Sequence, residues 1–278
     1  MPARRSKPAR PPRTPPAAAS AGATTAADRA RDGWPISLVL VLVAAGMLLR
    51  FGIAAVSHGT NDAAAFYWFG AEANRLGMLA AYQQVPFLNH PPAVLGWTAA
   101  AYQLVGGDDL TFPFVFKLPV LLAEGLIAWL VWRVWRDGRT AGSDAADRPR
   151  AGEAAAGYAL SLVSVLVAAY HCNTDTAYAG LTLLSVWLLE RRARPLAAGL
   201  ALAAAVNVKL LPVIFVPALL LGCRSRREAG RFLAGLAVGV VPFVPVLLAA
   251  GEAYFRNAIA YGSRPDKWGV QLLLLPAG

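Results

Sequence analysis

The stretch from Trp34 to Val56 is apolar throughout, broken only by Arg50 near its end. That feature constrains the fold more than any other. A bilayer core about 30 Å thick is crossed by roughly 20 helical residues. Within lipid each backbone N–H and C=O needs a partner in its own segment, so such a run has to be helical. Further long apolar runs recur along the chain, which is 57% hydrophobic and only 15% charged. A soluble domain of this size would carry about 25% charged residues. Outer-membrane barrels alternate apolar and polar residues instead of forming solid runs. The fold class expected is therefore an all-α polytopic membrane protein.

The formal net charge of +10 would suggest nucleic acid in a soluble protein, but its placement points elsewhere. Residues 1–33 are rich in Pro and Ala and carry Arg4, Arg5, Lys7, Arg10, Arg13, Arg29 and Arg31. This composition cannot bury a core, so a disordered basic tail is expected over 1–33, ahead of a transmembrane module over 34–278. The apolar stretch after it is long and lacks a small-residue cleavage site, which argues against a signal peptide. By the positive-inside rule the tail is cytoplasmic, and it can also tether to anionic membrane lipids. No nucleic-acid partner is expected.

With the tail inside, the first span runs outward to residue 56 and a long mixed segment follows from Ser57 to about Phe112. Ala63–Leu79 reads as an interfacial helix, with Phe66, Tyr67, Trp68 and Phe69 at headgroup level. Asn89-His90-Pro91-Pro92 breaks the chain before another interfacial or re-entrant helix through Trp97 and Tyr102. Later spans are expected over Pro113–Val134, Ala154–Tyr170 and Thr176–Glu190. Pro195–Gly222 reads as two short helices hinged near Lys209, Leu211 and Pro212, and a last span covers Phe232–Ala250. About seven transmembrane helices are expected, with Arg133, Arg136, Arg139, Arg191, Arg192, Arg194, Arg224, Arg226, Arg227 and Arg231 on the cytoplasmic side. Cys172 and Cys223 then fall on opposite sides and cannot pair.

All three histidines, His58, His90 and His171, fall on the outer side, as do Asp62, Asp175 and Asp266. A loop of more than about 15 residues without an element of its own is usually functional. Asp62, close behind the first span, is placed to take a proton from an alcohol at the membrane surface. On spacing alone Asn61-Asp62 reads first as a helix cap, ahead of catalysis, and Asp175 reads first as the cap of the fourth span. His171 can be a plain interfacial residue. Lys117 and Glu124 lie seven apart on one helix, about 10 Å along it. Ionisable groups within a span are costly and are functional candidates by default, although Lys117 can snorkel to the interface. Arg264, Asp266 and Lys267 read on their own as a solvated loop.

The order of these motifs resembles the GT-C superfamily of membrane glycosyltransferases, especially the bacterial polyprenyl-phosphate-sugar-dependent mannosyltransferase-like proteins. Gly59-Thr60-Asn61-Asp62 places an acidic residue just after the first span, ahead of a long external loop. His90-Pro91-Pro92 is similar to the element that closes the polar part of that loop, and Phe116-Lys117-Leu118-Pro119 to the start of the second span. His171-Cys172-Asn173-Thr174-Asp175, Val208-Lys209-Leu210-Leu211-Pro212 and the stretch from Tyr261-Gly262-Ser263-Arg264 to Trp268-Gly269 complete the likeness. It covers about Trp34 to Gly269. Family members usually continue with more helices, so a module cut short after Pro276-Ala277-Gly278 is expected.

The resemblance implies that Asp62 is the general base that deprotonates an acceptor hydroxyl. The oxygen then attacks the anomeric carbon of a polyprenyl-phosphate-linked sugar, with inversion. Arg264, Lys267, Lys209 and His90 are implied as groups that hold the phosphate, and Lys117, His171 and Asp175 as further substrate-binding residues. The metal-dependent members use extra acidic ligands. Asp175 is the one nearby match, so no metal and no cofactor are expected. The partners expected are the lipid-linked donor (mannose or another hexose or pentose), a lipid or glycan acceptor and membrane lipids. The site would lie on the external side of the plasma membrane. The same sequence admits two rival readings. Broken helices at Leu211-Pro212 and Pro242–Pro245 would suit a transporter, and a truncated relative could be a non-catalytic subunit.

Overall fold

The computed structural model describes residues 34–137 and 151–260. The tail over 1–33 lies outside the described residues, as do the basic loop with Arg139, Arg148 and Arg150, and Arg264 and Lys267. Among the described residues all regular structure is helical. Helix α1 (Ile36–Val56) follows Pro35, whose fixed φ suits the position before a first turn. It is 21 residues long, about 31 Å at 1.5 Å per residue. Most of its surface stays outside the protein core: Ile36, Leu40, Val41 and Leu48 are each more than half exposed. An apolar surface of this extent needs lipid or a partner to cover it.

The external segment folds into three helices, α2 (Asn61–Leu76), α3 (Met78–Gln84) and α4 (Pro92–Leu104). The single interfacial helix expected over Ala63–Leu79 is thus divided at Gly77, whose φ of 85° ends α2. The headgroup placement of the aromatic run also needs correction. Phe66 and Phe69 are 4% and 5% exposed, because Ala63, Phe66, Gly70 and Ala73 form one helical stripe that faces inward. Trp68, on the other side, is exposed. Phe66 stacks on Phe116 of the next long helix at 4.3 Å, and Trp97 of α4 stacks on the same ring at 4.5 Å.

Helix α5 (Phe112–Asp137) matches the second expected span. Residues 151–170 form α6 (Ala151–Ala159) and α7 (Leu162–Val165, continued by a π-helical turn Leu166–Tyr170), bent by 46° between them. Then come α8 (Asp175–Glu190) and α9 (Pro195–Val208). The expected break falls after α9. Lys209 is extended, and a 3₁₀ turn Leu211–Phe215 leads into α10 (Val216–Leu221). The span expected over Phe232–Ala250 is instead a pair, α11 (Arg226–Gly239) and α12 (Phe243–Tyr254, then a π-helical turn Phe255–Ile259), bent by 66°. Pro242 between them has no N–H to continue the ladder. By length and composition two helices can cross a membrane, α1 and α5, and four if each bent pair is one span. α9 and the segment Leu211–Leu221 are shorter apolar helices.

A buried ion pair fixes the bend in α6–α7. Arg50 of α1 is fully buried, and its Nε donates to Glu124 Oε2 of α5 at 3.0 Å. Its other nitrogens donate to Gly46 O, to Ser164 Oγ at 2.9 Å and to Ala159 O. The last of these is a carbonyl at the end of α6, left without its helical partner by the bend. Ser164 Oγ also donates to Glu124 Oε2, at 2.5 Å. One guanidinium thus ties three helices together at the point where one of them breaks.

Helices α9 and α11 approach through glycine. A Cβ on Gly199 would lie 2.0 Å from Phe232 O, and one on Gly235 2.2 Å from Leu196 O. Small residues that let two backbones close up are characteristic of helix pairs in membranes. Gly199→Leu is expected to destabilise by at least the 1–3 kcal/mol or so typical of overpacking. Thermal unfolding in detergent against wild type checks this, and an unchanged midpoint would contradict the close approach.

Candidate active site

The site forms where the ends of α1, α7 and α9 meet the start of α2. Thr60 caps α2: its hydroxyl accepts the Asp62 backbone N–H at 3.4 Å and donates to His171 O at 2.9 Å. The cap is therefore Thr60, and the Asp62 side chain is left for another task. Gly59, at φ 106°, permits this turn. A Cβ there would stand 3.1 Å from Cys172 Cβ and 3.2 Å from Tyr170 O. The contact brings the 171–174 turn against the start of α2, so His171 Nδ1 lies 3.5 Å from Asp62 Oδ2. Both side chains remain accessible, 35% and 43% exposed.

Lys117 supports this arrangement from beneath. It is fully buried in α5, and its Nζ donates to Ser57 O at 2.8 Å and to Ser57 Oγ at 3.0 Å. Ser57 Oγ in turn donates to Ala169 O at 3.2 Å. Lys117 is held to the backbone that precedes Asp62 and does not line the cavity described below. Cys172, at φ 65°, is fully buried, and that burial pushes its thiol up to about 12. A thiol of that kind is inert packing and not a nucleophile.

Asp62 opens onto a cavity of about 530 Å³, which Phe66, Phe69, Phe87, His90, Asn173 and Lys209 also line. Lys209 reaches it from the break after α9, its Nζ 2.5 Å from Asp175 Oδ1 and 5.5 Å from the Tyr178 ring centre. Both charges of that pair are more than a third exposed. An exposed pair of this kind contributes no more than about 1 kcal/mol, so the ammonium can leave Asp175 for a stronger anion at little cost. Asp175 occupies the first turn of α8, and its own N–H is capped by Asn173 Oδ1 at 2.9 Å. Asp62, His90, His171, Asp175 and Lys209 are thus brought together. Thr60, Asn89 and Asn173, which lie within the same motifs, join them, and so does Phe87, which no motif marked in the sequence. Among the described residues, no three His, Cys, Asp or Glu side chains converge as a metal site would require.

His90 differs from Lys209 in the charge it brings to the cavity. Its ring lies 4.7 Å from Phe66 and 5.8 Å from Phe69, and its carbonyl accepts the Tyr82 hydroxyl at 2.8 Å. Burial, with the Lys209 ammonium as a second cause, pushes the imidazole down to about 4. At neutral pH it carries no charge and can only offer one N–H and one lone pair. Because the folded value is depressed, its contribution to stability is complete above pH 6.5 and is lost as pH falls towards about 4. The unfolding midpoint of the wild type is expected to fall across that window. His90→Asn should flatten the dependence, and an unaltered slope would contradict the assignment.

The comparisons with known proteins bear on this assembly in a specific way. No curated protein and no solved structure matches the chain. The profile of glycosyltransferase family 87 matches residues 110–273. Lys117, His171, Asp175, Lys209, Arg264 and Lys267 lie inside the matched region, whereas Asp62 and His90 precede it. The described residues, helical and largely apolar, agree with this match: the chain belongs to glycosyltransferase family 87, consistent with a membrane glycosyltransferase of the GT-C type.

Proposed function

We propose that the chain transfers a sugar from a polyprenyl-phosphate donor to a hydroxyl acceptor at the outer face of the plasma membrane, with inversion. The observation that carries this reading is the Asp62 cavity, where an accessible carboxylate and the Lys209 ammonium line the same space. Asp62 takes the proton from the acceptor hydroxyl. The acceptor oxygen forms a bond to the anomeric carbon as the bond from that carbon to the phosphate oxygen breaks, and the electron pair leaves with the phosphate. His171, 3.5 Å away, orients the carboxylate and stabilises its charge before the proton moves. Lys209 exchanges Asp175 for the phosphate, where a cation aimed at developing charge lowers the barrier. Neutral His90 donates one hydrogen bond to a phosphate oxygen, and Arg264 and Lys267 supply further cations.

The membrane setting suits this donor. A polyprenyl tail can lie against apolar helix faces such as those of α1 while its phosphate stays at the polar end of the bundle. Seven crossings, with the basic tail over 1–33 in the cytoplasm, would place the Asp62 cavity outside, where nucleotide sugars are scarce and lipid-linked sugars serve. Purified protein in lipid nanodiscs should transfer labelled sugar from a polyprenyl-phosphate-sugar such as the mannose derivative and not from the matching nucleotide sugar. Transfer from the nucleotide sugar alone would overturn the donor class. Counterflow of a solute without transfer would favour transport.

A further inference from the structure

A second cavity, of about 490 Å³, opens beside the first. Gln83, Gln84 and Phe87 bound it on one side, and Arg256 and Asn257 on the other. Phe87 lines both cavities and is the wall between them. That residue is unusual twice over: its large apolar ring is 56% exposed, and its backbone holds φ at 65°. Side chains other than glycine rarely adopt this region, and where they do the conformation clusters at ligand clamps.

The walls of the second cavity are fixed by contacts beneath it. Helix α12 leaves helical geometry at Ala250, and Gln83 Nε2 donates to the adjacent Ala249 O at 2.7 Å. One turn away, Tyr82 meets Tyr254 edge to face, with ring centres 5.6 Å apart. The end of α3 and the end of α12 are therefore braced against each other, and the space between them is a built feature of the fold.

The chemistry of the two cavities differs. The first holds a carboxylate, a cation and an imidazole, which suits proton transfer and a charged leaving group. The second is lined by carboxamides, each with both donors and acceptors, by one guanidinium and by an aromatic face, with no carboxylate among the described lining residues. Sugar hydroxyls need donors and acceptors together, and the apolar C–H face of a pyranose packs on an aromatic ring. Pockets of this size take small ligands through a few placed polar groups. A ligand held here that reaches over Phe87 presents its end group to Asp62.

We infer that the second cavity is the acceptor subsite and takes a hydroxyl-rich glycan segment of the acceptor, leaving the Asp62 cavity to the donor sugar. This rests on the reading of Asp62 as the base, but saccharide binding can be measured without any transfer. The full chain in lipid nanodiscs, with no donor present, would be titrated with a panel of neutral α- and β-linked hexose and pentose trisaccharides, read by saturation-transfer NMR. At least one trisaccharide should bind wild type and Asp62→Asn alike. Its binding should weaken about tenfold or more in Gln84→Ala/Asn257→Ala and in Phe87→Ala, each checked for an unchanged unfolding midpoint. No binding by the wild type, or equal binding by the Gln84/Asn257 variant, would overturn the subsite. If saccharide binding fails while transfer still depends on Asp62, the subsite alone is wrong. If binding stands while transfer ignores Asp62, the base assignment is wrong and the saccharide site remains.

Discussion

Asp62→Asn is expected to lower kcat by about 10²- to 10⁴-fold, the range that a general base contributes. The substitution keeps the size of the side chain and removes its ability to take a proton. Stability should barely change. Thr60, not Asp62, caps α2, and an acidic residue in a helix's first turn contributes about 0.3–1 kcal/mol at most. The acceptor's KM should stay near its wild-type value, because the hydroxyl can still donate to the amide oxygen. His171→Ala should lower kcat less, since the imidazole acts on Asp62 at 3.5 Å and not on the substrate. Steady-state kinetics on variants with matched unfolding midpoints would decide it. A wild-type kcat in Asp62→Asn would remove Asp62 from the mechanism.

Arg50→Met is expected to cost about 3–5 kcal/mol, the usual penalty for leaving the partner of a buried ion pair uncompensated. Glu124 would then stand 1% exposed with neutral hydroxyls, Ser164 among them, in place of a guanidinium. Arg50→Met/Glu124→Leu should recover part of that loss, because removing both charges removes the desolvation cost as well. Recovery should be incomplete. The double variant still strands Ala159 O at the α6–α7 bend, and an unsatisfied buried carbonyl costs about 1–3 kcal/mol. A double-mutant cycle on unfolding midpoints in detergent measures the coupling. If the two single losses simply add, the pair is not the clamp described here.

Much of the helical layout was legible because solid apolar runs admit few structures. The break near Lys209 was legible too, since Pro212 and a cation inside an apolar stretch both oppose a continuous helix. What escaped the sequence depends on partners distant along the chain. Lys117 and Glu124 share a helix, yet Glu124 pairs with Arg50, 74 positions away. Lys117 reaches back 60 positions to Ser57. The bend between α6 and α7 follows no proline; its signal is a guanidinium supplied by another helix. The inward turn of Phe66 and Phe69 was present in the spacing of Ala63, Phe66, Gly70 and Ala73, but four consecutive aromatics read more readily as an interfacial belt. The charge of His90 required knowledge of its neighbours, which no local motif supplies.

The site itself was partly legible. Asp62, His171, Asp175 and Lys209 were each marked by position relative to the apolar runs; Asp62 and Lys209 line one cavity, with His171 against the first and Asp175 against the second. Asn89 and Asn173, which also line that cavity, fall within quoted motifs, whereas Phe87 carries no such mark. Phe87 is conspicuous only once its backbone angle and its place between two cavities are seen.

The central claim is that Asp62 activates an acceptor hydroxyl for direct displacement of a lipid phosphate. The measurement that tests it most directly is the anomeric configuration of the transferred sugar, read from the one-bond C–H coupling of a ¹³C-labelled product. A single displacement inverts the anomeric centre, so a product opposite in configuration to the polyprenyl-phosphate donor is the predicted result. Retention would mean a covalent sugar–enzyme intermediate or a second displacement, and would contradict the account.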